Sequence, residues 1–136
     1  MNDKAKKVKN TTKTGNLGET IASEYLVAHG HTILERNFRK KYGEIDIISR
    51  AHDTVHFVEV KTTTHKDRAQ LEWSVTHETW QPEELVHQFK LHQIEKTLEA
   101  WLQQHNWVGR YQIDVATVRI VPTELYACVK YLPQVV

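Results

Sequence analysis

Residues 43–62, GEIDIISRAHDTVHFVEVKT, contain two short β-prone runs, 43–50 and 55–62, which are separated by the turn-forming residues 51–54. We interpret them as an antiparallel hairpin with a four-residue loop. If Arg50 faces Val55, the register places two charged pairs opposite each other, Asp46 with Glu59 and Glu44 with Lys61. Opposed residues have Cβ atoms about 4.5–5.5 Å apart, and residues two apart on a strand share a face. We therefore predict that these four charged groups converge on one face of the hairpin, and that the other face carries Ile45, Ile47, Val58 and Val60.

Such a cluster of charges indicates a cation site. Two carboxylates at this distance raise each other's pKa unless a cation neutralises them. Hard oxygen ligands suit Mg²⁺ or Mn²⁺, so Asp46 and Glu59 are the predicted metal ligands. An aspartate followed after twelve residues by Glu-x-Lys is typical of metal-dependent phosphodiesterases, in which Lys61 would position the attacking water or offset developing charge and Glu44 would hold Lys61. The alternative is a lattice of cross-strand salt bridges on a solvated sheet face.

The flanking segments predict an α/β domain. Apolar residues recur at helical spacing over 16–29, and Gly30 is placed to end that helix. Glu19 on this helix is either an acid that reaches the metal site or a first-turn acid favoured by the helix dipole. Further along we predict a strand over 32–38, a helix from Pro82 to about residue 105, a strand over 111–121 and a last edge strand over 125–132. The fold predicted from these elements is a central mixed sheet flanked by helices.

Charge and composition divide the chain into two parts. Five lysines against one aspartate give residues 1–14 a charge of +4 within a net charge of +1, which leaves −3 for the rest. We expect 1–14 to be a disordered basic tail and 15–136 to be a single domain. There is no apolar stretch of the roughly 20 residues that a membrane helix needs, no apolar segment of a signal peptide, and a single cysteine, Cys128. We therefore expect a cytoplasmic protein without a membrane partner.

Several exposed basic residues are candidates for phosphate contacts. Arg39 and Lys40 form a basic rim before the hairpin, and residues 62–81 lack clear periodicity but interleave cations with aromatic rings. Lys66 and Arg68 would contact phosphates there while Trp73 and Trp80 stack on unpaired bases. Alternatively, the two tryptophans fold back onto the core. The nine histidines show no metal-binding spacing, and none is assigned a metal role.

Four blocks of the sequence resemble the bacterial YraN-like family: Gly15-x-x-Gly18-Glu19-x-x-Ala22, residues 33–39, residues 43–48 and Phe57-Val58-Glu59-Val60-Lys61-Thr62. That family is similar to the PD-(D/E)XK nucleases and to archaeal Holliday junction resolvases. The resemblance implies a restriction-endonuclease-like, three-layer α/β/α domain. It also implies that Asp46 and Glu59 bind the metal, that Lys61 is the catalytic lysine and that Glu19 is the helix acid near the metal.

Two further residues are supporting candidates. The family usually has a lysine near Lys90, so this residue either faces nucleic acid or decorates a solvated helix face. Asp114 lies in a Tyr-x-x-Asp-Val block that resembles the penultimate strand of the family. It would either orient a basic side chain or have a structural role.

The functional hypothesis is a Mg²⁺- or Mn²⁺-dependent endonuclease that cleaves structured or branched DNA. A homodimer is possible, because resolvases cut two strands symmetrically. The alternative is a catalytically silent module that keeps the nuclease fold and binds nucleic acid or a protein partner. The intact acids and lysine favour the enzyme, while the net negative charge outside the tail favours the module.

Overall fold

The structure is a computed structural model that describes residues 6–7, 12–77 and 88–136. Its elements, in chain order, are β1 (Lys6–Lys7), α1 (Thr12–Ala28), β2 (Thr32–Lys40), β3 (Gly43–Ala51), β4 (Thr54–Thr64), α2 (Arg68–Thr76), α3 (Gln88–Gln104), β5 (Arg110–Val121) and β6 (Tyr126–Leu132), with a 3-10 turn at Pro122–Glu124. Among the described residues, no helix is both long and apolar enough to cross a bilayer.

The sheet is mixed and has a helical layer on each face. Its main path runs in the order β2-β3-β4-β5-β6, and β1 pairs with the end of β4. The β4–β5 pair is parallel and the other pairs are antiparallel. Ala22 and Leu26 of α1 pack on one face of the sheet, and Ile94, Leu98 and Trp101 of α3 pack on the other. This arrangement confirms the predicted three-layer α/β/α fold.

The hairpin register is confirmed, but its loop is shorter than predicted. Arg50 pairs with Val55 as expected, and the ladder continues to Ala51↔Thr54, which leaves two loop residues instead of four. The turn closes this tightly because His52 adopts a left-handed conformation with φ of 57°. A positive φ at the first central residue is the geometry that two-residue hairpin loops require.

β3 changes direction at Asp46, which alters the predicted faces. The ladder with β4 ends at Ile47↔Val58. The two charged pairs that were predicted to face each other, Asp46 with Glu59 and Glu44 with Lys61, lie beyond the end of this ladder. Ile47 packs under α1 but Ile45 packs under α3, although a regular strand would place both on one face. The predicted common face is therefore wrong for Ile45. The neighbouring strand bends at the same level, where Asn37 has a φ of 57°.

The helices differ from prediction in two respects. α1 begins at Thr12 instead of residue 16 and ends at Ala28, with Gly30 at a φ of 92° as expected for a residue that ends a helix. The predicted loop over 62–81 contains α2, which the sequence analysis missed. Asp67 caps α2 by accepting a hydrogen bond from the Gln70 amide at 2.8 Å, and the Gln70 side chain accepts one from the Lys66 amide. This Asp-x-x-Gln capping signal is visible in the sequence, but only Leu71 of α2 is buried, so no apolar period accompanies it.

The remaining elements agree with their predicted positions where they are described. β2, β5 and β6 coincide with predicted strands, and β6 is an edge strand as expected. The predicted start of the last helix at Pro82 lies outside the described residues, as does Trp80. Within the predicted tail, the structure describes β1 and the start of α1, and the rest of 1–14 lies outside the described residues. The domain boundaries therefore stay a prediction.

Candidate functional site

Three acidic side chains meet where the first half of α1 crosses the start of β3. Glu19, Glu44 and Asp46 each offer a carboxylate oxygen, and these oxygens all lie within 4.8 Å of one another. Glu19 and Asp46 are buried, and Glu44 is half-buried. α1 approaches this closely because Gly18 has no side chain: a Cβ there would lie 2.0 Å from Oγ1 of Thr62 on β4. We call these three residues the acid cluster.

Asp46 is fixed by the backbone of the neighbouring strand. Its Oδ2 accepts a hydrogen bond from the Val60 amide at 2.8 Å. In a regular ladder, the Val60 amide would donate to a backbone carbonyl of β3. Here it points toward β3 but donates to the side chain of Asp46 instead. The Asp46 carboxylate therefore occupies the gap in which the two strands separate, and its exposed fraction is only 1%.

Glu19 is the least satisfied member of the acid cluster. It forms a long ion pair with Arg36, whose Nη2 lies 3.7 Å from Oε1, and the same Nη2 donates a hydrogen bond to the Asn16 carbonyl at 3.3 Å. Oε1 is buried and has no hydrogen-bond partner among the described residues. A buried carboxylate oxygen without a hydrogen bond is costly. An oxygen-binding divalent cation would complete it, so the acid cluster fits Mg²⁺ or Mn²⁺.

Glu59 and Lys61 occupy the other side of β4. Glu59 forms an ion pair with Nζ of Lys90 on α3, and its side chain is only 10% exposed. It is not a member of the acid cluster. Lys61 is half-buried and pairs in register with Thr117 of β5. The five residues Glu19, Glu44, Asp46, Glu59 and Lys61 thus lie around one end of β3 and β4, but the cluster contains a helix acid where the sequence analysis expected Glu59.

The basic rim is partly engaged with the protein itself. Arg39 forms an ion pair with Glu44 at 3.3 Å, and its side chain is 70% exposed. Lys40 lies over the ring of Phe38, with Nζ 5.3 Å from the centroid. Arg39 therefore serves as a counter-ion of the acid cluster while remaining open to solvent.

The region after β4 exposes aromatic and basic groups. Lys66 and Arg68 are exposed, and the Arg68 guanidinium lies 4.0 Å from the ring centroid of Tyr126. Trp73 is 62% exposed. The hypothesis that Trp73 folds back onto the core is therefore wrong.

Asp114 belongs to a separate polar network near the C-terminal end of α1. It is fully buried, and four groups donate hydrogen bonds to it: His56 Nδ1 at 2.6 Å, Gln112 Nε2 at 2.8 Å, the Gln134 amide at 2.7 Å and the Tyr131 hydroxyl. Burial raises the pKa of Asp114, but these hydrogen bonds outweigh burial and hold the pKa below its ordinary value. Burial and the nearby Asp114 raise the pKa of Tyr131.

His31 extends this network toward β3. Its Nδ1 lies 2.9 Å from the Ser49 hydroxyl, and its ring packs edge-on against His56 with centroids 4.6 Å apart. Burial, together with His56, lowers the pKa of His31. No sequence signal points to His31, His56 and Tyr131, because they come from separate segments of the chain that only the fold brings together.

The fold and the acid cluster define the class of protein: a three-layer α/β/α domain with buried acids where two central strands separate. The chain belongs to the uncharacterised protein family UPF0102, whose family model matches residues 18–118. This match includes every member of the acid cluster together with Glu59, Lys61 and Asp114.

Relatives of the chain occur in several bacterial groups. It is 39% identical to a UPF0102 protein of Campylobacter fetus over 104 residues, which cover 76% of this chain and 81% of the relative. It is 38% identical to one of Trichlorobacter lovleyi, with 77% of each chain covered. It is 36% identical to one of Cytophaga hutchinsonii, with 76% of this chain and 82% of the relative covered.

Proposed function

We propose that the protein is a divalent-metal-dependent endonuclease of the PD-(D/E)XK superfamily that hydrolyses phosphodiester bonds in structured or branched DNA. The observation that carries this proposal is the buried Oε1 of Glu19, which has no hydrogen-bond partner among the described residues and lies beside Glu44 and Asp46. A purely structural acid cluster would pair each buried oxygen internally. An unsatisfied oxygen among three converging acids is what a cation site needs.

The residues divide into three roles. Asp46 and Glu19 are the metal ligands, with Glu44 at the solvent side of the acid cluster and Glu59 as a further candidate next to it. Mg²⁺ or Mn²⁺, when bound, supplies a Lewis acid for the phosphate and a water of lowered pKa. Lys61 on β4 provides a positive charge close to the reacting phosphate and offsets the charge that develops there.

Access to the site supports nucleic acid as the substrate. Glu44 is half-buried and Arg39 is 70% exposed, so the acid cluster is open to solvent on that side. Arg39 and Lys40 are then available to contact phosphates on either side of a scissile bond. A homodimer would present two such sites to a branched substrate, as a symmetric cut requires.

One observation favours a second candidate, a silent binding module that keeps the fold. Arg36 and Arg39 already act as counter-ions of Glu19 and Glu44, which lowers the need for an external cation. The charge of −3 outside residues 1–14 also weakens attraction to a duplex. Such a module would bind nucleic acid or a protein without a metal requirement.

Calorimetric titration of Mn²⁺ separates the two candidates. The samples are the wild type, Glu19→Gln, Asp46→Asn and the matched control Glu24→Gln, which changes an exposed acid of the same helix. We expect the wild type and Glu24→Gln to bind Mn²⁺, and the two acid-cluster variants to bind it at least tenfold more weakly. The same samples are then incubated with labelled single-stranded, duplex and four-way-junction DNA. Metal-dependent cleavage that is lost in Asp46→Asn supports the nuclease, whereas wild-type protein that binds no Mn²⁺, even with DNA present, supports the module.

A further inference from the structure

Trp73 is a large aromatic side chain at the surface of the protein. It lies on α2 two residues from the buried Leu71, which places the two side chains on roughly opposite sides of the helix. Its ring stacks on His77, with centroids 4.1 Å apart and planes inclined by only 12°. His77 is itself fixed, because its Nδ1 lies 2.8 Å from the Trp73 carbonyl and 3.0 Å from the Thr76 hydroxyl.

This arrangement resembles a preformed stacking platform. One side of the indole is covered by His77, yet 62% of the residue is exposed, so most of the remaining ring surface faces solvent. A tryptophan has only two side-chain torsions, so ordering its ring on binding has a low entropic cost.

The charges around the platform favour unpaired bases over a duplex. Lys66 and Arg68 precede Trp73, and Arg68 lies about 7.5 Å away along the helix axis, estimated from the helical rise per residue. The exposed acids Glu72 and Glu124 balance these two cations. Duplex binding is dominated by phosphate neutralisation and requires a net positive surface. Stacking of single-stranded bases on an aromatic ring adds binding free energy that does not come from phosphate neutralisation.

The location links this surface to the candidate site. β4 and β5 run parallel, so their C-terminal ends meet at one edge of the sheet, where Thr64 pairs with Ile120. β4 carries Lys61 and leads directly into α2, and β6 begins at the same edge with Tyr126, on which Arg68 lies. The α2 region therefore follows Lys61 directly along the chain, at the C-terminal edge of β4 and β5.

We propose that Trp73 and His77, flanked by Lys66 and Arg68, form a binding surface for unpaired nucleotide bases. We call these four residues the α2 surface. The proposal deepens the proposed nuclease function, on which it rests for the identity of the ligand, because it assigns a substrate with single-stranded character, such as a branch point or a flap. Trp73 supplies base stacking, and the two cations contact the adjoining phosphates.

Fluorescence anisotropy in EDTA, without added metal, tests the α2 surface independently of the acid cluster. The probes are three labelled molecules of equal length: a single-stranded oligothymidine, an abasic strand with the same phosphates and no bases, and a duplex. We expect the wild type to bind the oligothymidine about tenfold more tightly than the abasic strand, a step within the range of one stacked base. Trp73→Ala should abolish this difference and leave binding of the abasic strand unchanged.

Two matched variants sharpen the result. Val75→Ala shortens another exposed apolar side chain of α2 and should leave all three affinities unchanged. Arg68→Ala should weaken binding of the oligothymidine and the abasic strand by the same factor, because it removes a phosphate contact. Circular dichroism and thermal melting confirm that each variant is folded.

Three results would overturn the proposal. The first is equal affinity of wild type and Trp73→Ala for the oligothymidine. The second is an equal loss on the abasic strand, which would assign Trp73 to phosphate contacts or to folding. The third is a wild-type dimer that Trp73→Ala converts to a monomer in sedimentation velocity, which would make the α2 surface a subunit interface. None of these results depends on Mn²⁺ binding, so failure of the α2 surface and failure of the nuclease proposal are distinguishable.

Discussion

Replacement of Asp114 by asparagine should destabilise the protein strongly without affecting the acid cluster. In the wild type, Oδ2 accepts hydrogen bonds from His56 and Tyr131, and Oδ1 accepts them from Gln112 and the Gln134 amide. All four partners donate to the carboxylate. An asparagine keeps one acceptor oxygen and replaces the other with an NH₂ group, so one pair of partners loses its charged acceptor whichever way the amide is turned, and His56 and Tyr131 could face the NH₂ group only by changing tautomer or turning the hydroxyl.

The expected magnitude follows from these contacts. Two hydrogen bonds to a charged group are lost, each worth about 1.5–3 kcal/mol. Part of this loss in stability is offset, because burying a neutral amide has a smaller desolvation cost than burying a carboxylate. We expect the free energy of unfolding to fall by about 3–5 kcal/mol, the range seen when one partner of a buried charged network is removed. Domains of this kind are stable by only about 5–15 kcal/mol, so the loss should be easy to measure.

The pH dependence gives a second readout. The hydrogen bonds hold the pKa of folded Asp114 below its ordinary value of 3.8, although burial alone would raise it. The unfolded chain therefore takes up the proton first as the pH falls, and the wild type loses this stabilisation below about pH 4. Because Asp114→Asn lacks the titrating group, the difference in stability between the two proteins should shrink as the pH falls below 4.

Urea denaturation at pH 7 and at several values below 4 measures both effects. Asp53→Asn is the control, since Asp53 lies exposed in the hairpin loop and should change the stability by less than about 0.5 kcal/mol. A loss of under 1 kcal/mol for Asp114→Asn, or a difference that stays constant with pH, would refute the assignment of Asp114 as the anchor of the network. Mn²⁺ titration of the variant should match that of the wild type.

Three further predictions concern other parts of the chain. Gly18→Ala should lower the free energy of unfolding by about 1–3 kcal/mol, because the new Cβ would lie 2.0 Å from Oγ1 of Thr62; urea denaturation measures this, and Thr62→Ala should recover part of the loss. His31→Gln should reduce the loss of thermal stability between pH 7.5 and 5.5, because burial holds the pKa of His31 below 6.5 and the unfolded chain is protonated first. Lys90→Met should raise Mn²⁺ affinity severalfold in calorimetry, since it removes one cation that neutralises the Glu59 carboxylate beside the proposed site.

Each of these predictions has a contrary outcome. If Gly18→Ala stabilises the protein, then α1 can shift away from β4. The higher helix propensity of alanine would in that case outweigh the steric cost. A pH dependence unchanged by His31→Gln would assign the acid sensitivity to His65, whose pKa burial also lowers. If Lys90→Met weakens Mn²⁺ binding, then the Lys90–Glu59 ion pair supports the site and does not compete with it.

Local sequence patterns predicted most of the fold. Gly30 was expected to end α1, the pairing of Arg50 with Val55 set the hairpin register, and the alternation over 111–121 identified β5. These features depend on residues a few positions apart, where side-chain period and turn chemistry act directly on the backbone. The absence of α2 from the prediction also has a local reason. Leu71 is the one buried residue of this helix, so no apolar periodicity accompanies its capping signal.

The candidate site could be predicted only in part. The sequence located Asp46, Glu59 and Lys61 by their spacing and left Glu19 with two interpretations. The structure brings Glu19 to Asp46, although 26 residues lie between them, and turns Glu59 toward Lys90. The bend of β3 at Asp46 decides the first outcome, since it moves that carboxylate into the gap between the strands.

The sequence by itself determined which residues carry charge, where most of the helices and strands run and how the hairpin is registered, because these depend on short-range periodicity. Only the tertiary structure decided which charges meet. The acid cluster needs α1 to cross β3, and the Asp114 network needs His56, Tyr131 and Gln134 to converge from separate segments. The packing of helices and loops on the two faces of the sheet decides which of these groups meet. The free energy of each contact depends on how deeply it is buried, and several segments together produce that burial.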